Sequence, residues 1–224
     1  MKILEARNIS KTYSIGNRSI RVLDDVSFHV HSGEFVVIQG SSGSGKTTLL
    51  SLLSGLDQPS EGQVFLDGQE ITHFSEDDLA PIRNKSIGFV FQSFHLIPSL
   101  TAGENILFPA ELRKDGSAEK RALSMLARIG LEKRMHNFPH QLSGGEKQRL
   151  AICRALINDP KIVFADEPTG NLDAANGAAV LDMLLEMRRE QGATLVLVTH
   201  SGEIAVRADR TVRLEDGRIR PETQ

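Results

Sequence analysis

The chain has no tryptophan, one tyrosine (Tyr13) and one cysteine (Cys153) among its 224 residues. A single cysteine cannot close a disulfide within the chain, which excludes a disulfide-stapled scaffold and fits a reducing cytosol. Cys153 lies in an apolar helical pattern and reads as a packing residue rather than a reactive thiol. Long hydrophobic runs are also missing. Pieces such as Phe35 to Ile38 and Leu195 to Val198 fall far short of the roughly 20 residues that a membrane-spanning helix needs. No secretory leader is expected, because Glu5, Arg7 and Asn8 interrupt any apolar core near the start. Charge of one sign is not in excess: 26 Lys and Arg stand against 29 Asp and Glu. That leaves no electrostatic footprint for nucleic acid. Repeats, linkers and low-complexity tracts are absent. What is present, 40% hydrophobic residues, suffices for one domain with a substantial core. The expectation is a cytoplasmic protein that reaches any membrane through a partner.

Periodicity divides the chain. Lys2 to Ser10, Val26 to Val30 and Glu34 to Gln39 read as short strands broken by Gly16, Asn17 and the Ser32-Gly33 turn. A helix is predicted from Gly45 to about Leu53, then strands at Gly62 to Leu66 and Ile87 to Phe91. From about Phe94 to Leu156 the pattern is helical, with a capping box at Thr101 and Glu104, a helix over Ala118 to Ile129 and another opening at Ser143. Strand character returns at Ile162 to Ala165, Thr194 to Val198 and Thr211 to Leu214, with a helix between at about Ala175 to Glu190. Strands alternating with helices argue for a mainly parallel α/β sheet with the helical block inserted.

The chemistry sits at strand ends. Gly40-Ser41-Ser42-Gly43-Ser44-Gly45-Lys46-Thr47 follows an apolar strand and precedes a helix, the context a phosphate-binding loop requires. Its glycines let the backbone wrap phosphates, Lys46 supplies charge, and the Thr47 hydroxyl can bind Mg²⁺. Ile162 to Ala165 ends at Asp166-Glu167, which suits an Mg²⁺ ligand beside a base or water-orienting residue. Gln92 and His200 each follow an apolar strand. Alone, Gln92 reads as a loop residue and His200 as a core histidine; their shared placement with the phosphate loop favours γ-phosphate sensing. Leu142-Ser143-Gly144-Gly145-Glu146 is a second glycine-rich segment without a preceding lysine. Ser143 and Glu146 form a capping box, and the glycines bare a helix N-terminus able to receive an anion. Tyr13, placed in a turn-rich segment, fits an adenine-stacking face and a strand-edge tyrosine equally well from residue type alone.

In this order the motifs resemble the nucleotide-binding subunit of an ATP-binding cassette (ABC) transporter, over essentially the whole chain. The resemblance implies a P-loop NTPase of α/β class, with a mainly parallel core sheet, an antiparallel N-terminal β-subdomain and an inserted α-helical subdomain. Residues 1–92 and 157–224 would form the catalytic core and about 93–156 the helical part. Tyr13 would stack on adenine. Gly40, Ser41, Ser42, Gly43, Ser44, Gly45, Lys46, Thr47 and Thr48 would form the Walker A cradle for ATP. Thr47, Gln92 and Asp166 would serve Mg²⁺. Glu167 would be the catalytic glutamate, assisted by His200, Gln92 and Lys46. Ser143, Gly144, Gly145 and Glu146 match the ABC signature, and Asn171-Leu172-Asp173 the D-loop, with Asp173 toward the nucleotide. Wording such as Phe89-Val90-Phe91-Gln92-Ser93-Phe94 and Ala165-Asp166-Glu167-Pro168-Thr169-Gly170 resembles the lipoprotein-release and macrolide-export (LolD/MacB, YbbA-like) group. One departure is Ser201, where many relatives carry an acidic residue; Ser201-Gly202-Glu203 can still cap a helix.

The resemblance further implies an ATP-bound homodimer with integral-membrane permease subunits and no nucleic acid. The protein would then lie at the inner face of the cell membrane. Phe94 to Leu100 reads as part core and part groove for a permease helix. The alternative is an ATPase that regulates a membrane-bound cell-envelope complex without transport. A DNA-repair relative would need a long insertion between Gln92 and Ser143, a translation factor a second cassette, and a small-molecule kinase leaves residues 142–146 unexplained.

Overall fold

The computed structural model describes residues 1–16 and 18–220, so Asn17, expected to break the first strands, lies outside the described residues. Two compact units are present: Met1–Arg83 with the chain from Thr194 onward, and Asn84–Ala193.

The first unit begins with two long strands, β1 (Lys2–Ile15) and β2 (Arg18–His31), where shorter segments were expected. They pair antiparallel, with Leu4 opposite Val30, Ile9 opposite Val26 and Tyr13 opposite Ile20. Tyr13 therefore belongs to a strand, not to a turn. Its neighbours Ser14, Arg18, Ser19 and Arg21 are polar and exposed, and Ile20 is exposed too, so this two-stranded ribbon lacks the buried alternation that reads as strand. Nearer the base, Ile3, Leu4, Ala6 and Ile9 face Leu23, Val26, Phe28 and Val30 in a buried layer. β4 (Glu61–Leu66) joins the other edge of β1, and the two-residue β5 (Gln69–Glu70) closes this antiparallel sheet.

The same unit holds β3 (Phe35–Gln39), flanked by β8 (Thr194–Thr199) and β9 (Arg210–Glu215), both parallel to it. β10 (Arg218–Arg220) adds antiparallel to β9. β8 is buried throughout, and Phe35 to Ile38 likewise. This is what continuous apolar runs predict for parallel strands covered on both faces. Helix α1 (Lys46–Leu53) follows β3 and buries Leu49, Leu50, Leu52 and Leu53. Helix α2 (Glu76–Ser86) escapes the sequence pattern, because only Leu79 of it is buried and Pro81 interrupts it. Ser201 occupies the N-cap position of the short α7 (Gly202–Ala205), yet its side chain makes no cap hydrogen bond. The expected cap is corrected accordingly.

In the second unit β6 (Ile87–Phe91) pairs parallel with β7 (Ile162–Asp166). Around them pack α3 (Ala102–Glu111), α4 (Ala118–Arg128), α5 (Gly144–Leu156) and α6 (Ala174–Glu190). The Thr101–Glu104 capping box opens α3, as its spacing predicts. Asn105, fully buried, donates to the carbonyls of Ile97, Leu100 and Thr101 and accepts from the Ile97 N–H. That one amide folds residues 97–101 against α3. Leu96, Ile97 and Leu100 are half-buried while Pro98 and Ser99 are exposed. Cys153 is fully enclosed and burial pushes its thiol up to about 12, so it packs and does not react.

Candidate functional site

The phosphate loop leaves β3 and turns directly into α1. Its turn needs glycine at two places for different reasons. Gly45 has φ +98°, a conformation that side chains disfavour, and a Cβ there would lie 2.9 Å from Leu23 Cδ2. A Cβ on Gly40 would lie 2.3 Å from the Leu214 carbonyl oxygen. The Lys46 ammonium is drawn into the loop, donating to the carbonyls of Gly40 at 3.0 Å and Ser41 at 2.9 Å. Ser44 Oγ is buried beside Gly40 without a hydrogen-bond partner among the described residues. Ser41, Ser42 and Gly43 are exposed, as is Thr47 on the first turn of α1. The start of α1 has no side-chain cap and lies beside a buried hydroxyl and a lysine that donates to two carbonyls, groups whose chemistry suits a chain of phosphates.

Strand register places further groups. Gln39 is opposite Thr199, so Gly40 and His200 leave the same carboxyl end of neighbouring parallel strands. His200 is exposed, so it is not the core histidine its lone reading allowed. In the second unit Phe91 is opposite Asp166, and Gln92 and Glu167 emerge together in the same way. Gln92 Nε2 donates to Asn171 Oδ1 at 3.2 Å, and Asn171 Nδ2 returns a bond to the Gln92 carbonyl at 3.0 Å. This commits the amide nitrogen and leaves Gln92 Oε1 as the atom available to a cation. Glu167 has φ +43°, and its carbonyl receives the Gly170 N–H at 3.0 Å. Gly170 fits tightly: a Cβ there would come within 2.8 Å of Gln92 Nε2. Within this unit the Asp166 carboxylate and the Gln92 amide carbonyl are oxygen donors, the chemistry that suits Mg²⁺.

The second anion-binding candidate also takes its expected form. Ser143 Oγ accepts the Glu146 N–H at 3.3 Å, and Glu146 Oε2 accepts the Ser143 N–H at 2.7 Å. The backbone bond from Ser143 holds the Glu146 carboxyl below the ordinary value, with the Ser143 side chain, Arg134 and Arg149 assisting against burial. Arg134 lies 3.3 Å from it. The D-loop segment packs beside this helix start, since a Cβ on Gly144 would meet Leu172 at 3.4 Å and one on Gly145 would meet Asn176 at 3.4 Å. Asp173 caps α6 through the Asn176 N–H at 3.0 Å. Backbone and side-chain bonds from Asn176 hold its carboxyl below the usual range.

Two residues that sequence reasoning did not single out brace these segments. Arg154, in the last turn of α5, donates to the Phe94 carbonyl at 2.9 Å and the His95 carbonyl at 2.5 Å. Phe94 and His95 have φ of +62° and +47°, two successive side chains in a strained region. Asp57 receives both the Tyr13 hydroxyl at 2.8 Å and the Lys11 ammonium at 2.7 Å. A lone charge inside the apolar run 150–156 was the available signal for Arg154; Asp57 gave none.

Comparison with known proteins gives the family. Residues 23–170 match the family model described as "ABC transporter". The chain belongs to the ABC transporter family. It carries an ABC-type ATPase domain. The chain is 46% identical over 222 residues to the ABC transporter ATP-binding protein YbbA of Escherichia coli K12, covering 98% of this chain and 97% of YbbA. It is 45% identical over 227 residues to the macrolide export ATP-binding/permease protein MacB of Syntrophobacter fumaroxidans, covering all of this chain but 32% of MacB. The chain thus spans about a third of the MacB proteins it matches. A dimeric post-hydrolysis structure of the ATP-binding cassette MJ0796 bound to ADP and Pi superposes with TM-score 0.91 at 41% identity, covering 99% of this chain and 98% of that one. A second dimeric MJ0796 structure gives 0.89 at 42% identity, covering 97% of each. The α/β P-loop fold with an antiparallel β-subdomain and added helices stands as expected.

Proposed function

We infer that this ABC cassette binds ATP with Mg²⁺, closes on a second copy of itself and thereby drives a membrane permease of export or lipoprotein-release type. It sits at the inner face of the cell membrane through that permease. The observation carrying this reading is the enclosed Lys46 ammonium, held by the Gly40 and Ser41 carbonyls at the head of α1. Solved MJ0796 dimers and the named roles of MacB and YbbA support the dimer and the permease.

In this reading Tyr13 stacks on adenine. Gly40 to Thr48 cradle the phosphates through backbone N–H groups, and Lys46 transfers its bonds from carbonyls to phosphate oxygens. Thr47, Asp166 and Gln92 hold Mg²⁺, which when bound neutralises charge on the phosphate oxygens. Glu167 orients the attacking water and accepts its proton, and His200 holds that water in line. Ser143 to Glu146 of one copy, with the bare N-terminus of α5, receive the γ-phosphate held by the other copy. Asp173 lies toward the same nucleotide. Residues about 93–156 form the helical part that moves against the core of 1–92 and 157–224, and Phe94 to Leu100 receive a permease helix.

Nucleotide binding and co-purification test this. Lys46→Ala should leave a folded protein without measurable ATP binding, and the wild type should be retained by a membrane subunit. Full ATP affinity in Lys46→Ala overturns the site.

A further inference from the structure

Tyr13 has only 38% of its surface exposed although it stands on a solvated ribbon. Two side chains account for this. Its hydroxyl donates to Asp57 Oδ2 at 2.8 Å. The Lys11 ammonium lies over the ring, 4.9 Å from its centroid. Asp57 is in turn tied to α1, its N–H donating to the Ser51 carbonyl at 3.2 Å. Lys11 is itself fixed, donating to Asp57 Oδ1 at 2.7 Å and to the Gln58 carbonyl at 2.6 Å. Asp57 accepts the Gln58 N–H at 2.7 Å as well. The Lys11 side chain is only 11% exposed and that of Asp57 32%.

A tyrosine ring has two rotatable bonds and would otherwise sample several poses on a ribbon strand. Here the edge is tied by Asp57 while one face is occupied by a cation. A single face remains for stacking. The cation polarises the ring, and the ion pair joins β1 to the chain that follows α1, so the ring and α1 are held by one network.

We propose that Lys11 and Asp57 are positioning residues for the nucleotide base: they lock the Tyr13 ring in a fixed pose relative to α1, with one open face. This rests on the reading of Tyr13 as the adenine-stacking residue. An ion pair that only tied two segments together would stabilise the fold without affecting the ring.

The chain's composition makes the ring directly observable, since Tyr13 is the only tyrosine and there is no tryptophan. Burial and the Asp57 bond hold its phenol above the ordinary value of 10.0. Ultraviolet titration of the folded protein should therefore show ionisation above that value, falling toward it in Asp57→Ala. Binding supplies the second readout, as the ratio of affinities for ATP and inorganic tripolyphosphate. Tyr13→Ala should lower that ratio about tenfold, the scale of one base–aromatic stack. Asp57→Ala and Lys11→Met should each lower it about threefold or more, with tripolyphosphate affinity unchanged. Tyr13→Phe should fall between wild type and Tyr13→Ala. Lys11→Met keeps the stem's packing, so it serves where Asp57→Ala does not fold. If Tyr13→Ala lowers the ratio but Lys11→Met and Asp57→Ala do not, positioning is overturned and stacking stands. An unchanged ratio in Tyr13→Ala overturns stacking itself.

Discussion

Gln92 and Asn171 exchange two hydrogen bonds across 79 positions of chain, one from each side-chain amide. The loop after β6 and the loop after β7 are thereby held as one piece, and the pose of Gln92 is set by a residue outside its own loop. Gly170 completes the fit, because a side chain there would meet the Gln92 amide at 2.8 Å.

Gly170→Ala therefore displaces a flexible amide rather than backbone. Its melting behaviour should stay within about 1 kcal/mol of wild type, since the change also removes unfolded-state freedom. Turnover should fall about tenfold to a hundredfold, the cost of a misplaced group, with ATP affinity nearly intact. Parallel calorimetry, binding and ATPase measurements check this, and unchanged turnover would remove Gln92 from the reacting geometry.

Arg154 offsets the strain at Phe94 and His95 by satisfying both carbonyls. Burial lowers its guanidinium pKa, yet a guanidinium remains charged at any ordinary pH. Arg154→Ala should cost about 2–3 kcal/mol, the scale of charge-assisted bonds. Arg154→Lys should recover only part, because an ammonium lacks the planar fork. Urea unfolding at unchanged slope measures both.

Glu146 gives a pH signature. Its folded carboxyl titrates below the ordinary 4.5, first because of the Ser143 N–H bond. The cap's contribution is therefore present above that ordinary value and is lost as pH falls through the depressed folded value. Wild type should lose about 1 kcal/mol more than Glu146→Gln on acidification through this window. Chemical denaturation at a series of pH values checks it; equal losses would mean the cap bond is not made in solution.

What was legible in the sequence follows from local physics. The phosphate loop announced itself by glycines between an apolar strand and a helix. Both capping boxes, at Thr101 and Ser143, closed as their spacing requires. β3 and β8 were visible because buried parallel strands are apolar throughout. The outer part of the β1–β2 ribbon was not, since solvated strands of Thr, Ser and Arg carry no burial pattern. α2 was hidden by its single buried residue and its proline. Asp57 left no trace and Arg154 only a lone charge in an apolar run, because their partners lie 44 to 60 residues away and only the folded chain brings them together.

The central claim is that Glu167 activates water in a site closed by a second copy of the chain. Glu167→Gln keeps the side chain's size and removes its capacity to take a proton. The direct measurement is the mass of this variant in solution, with and without ATP, alongside its rate of phosphate release. The account predicts retained ATP binding, a dimer that accumulates only with ATP, and loss of most turnover. Wild-type phosphate release from a variant that stays monomeric with ATP would contradict it.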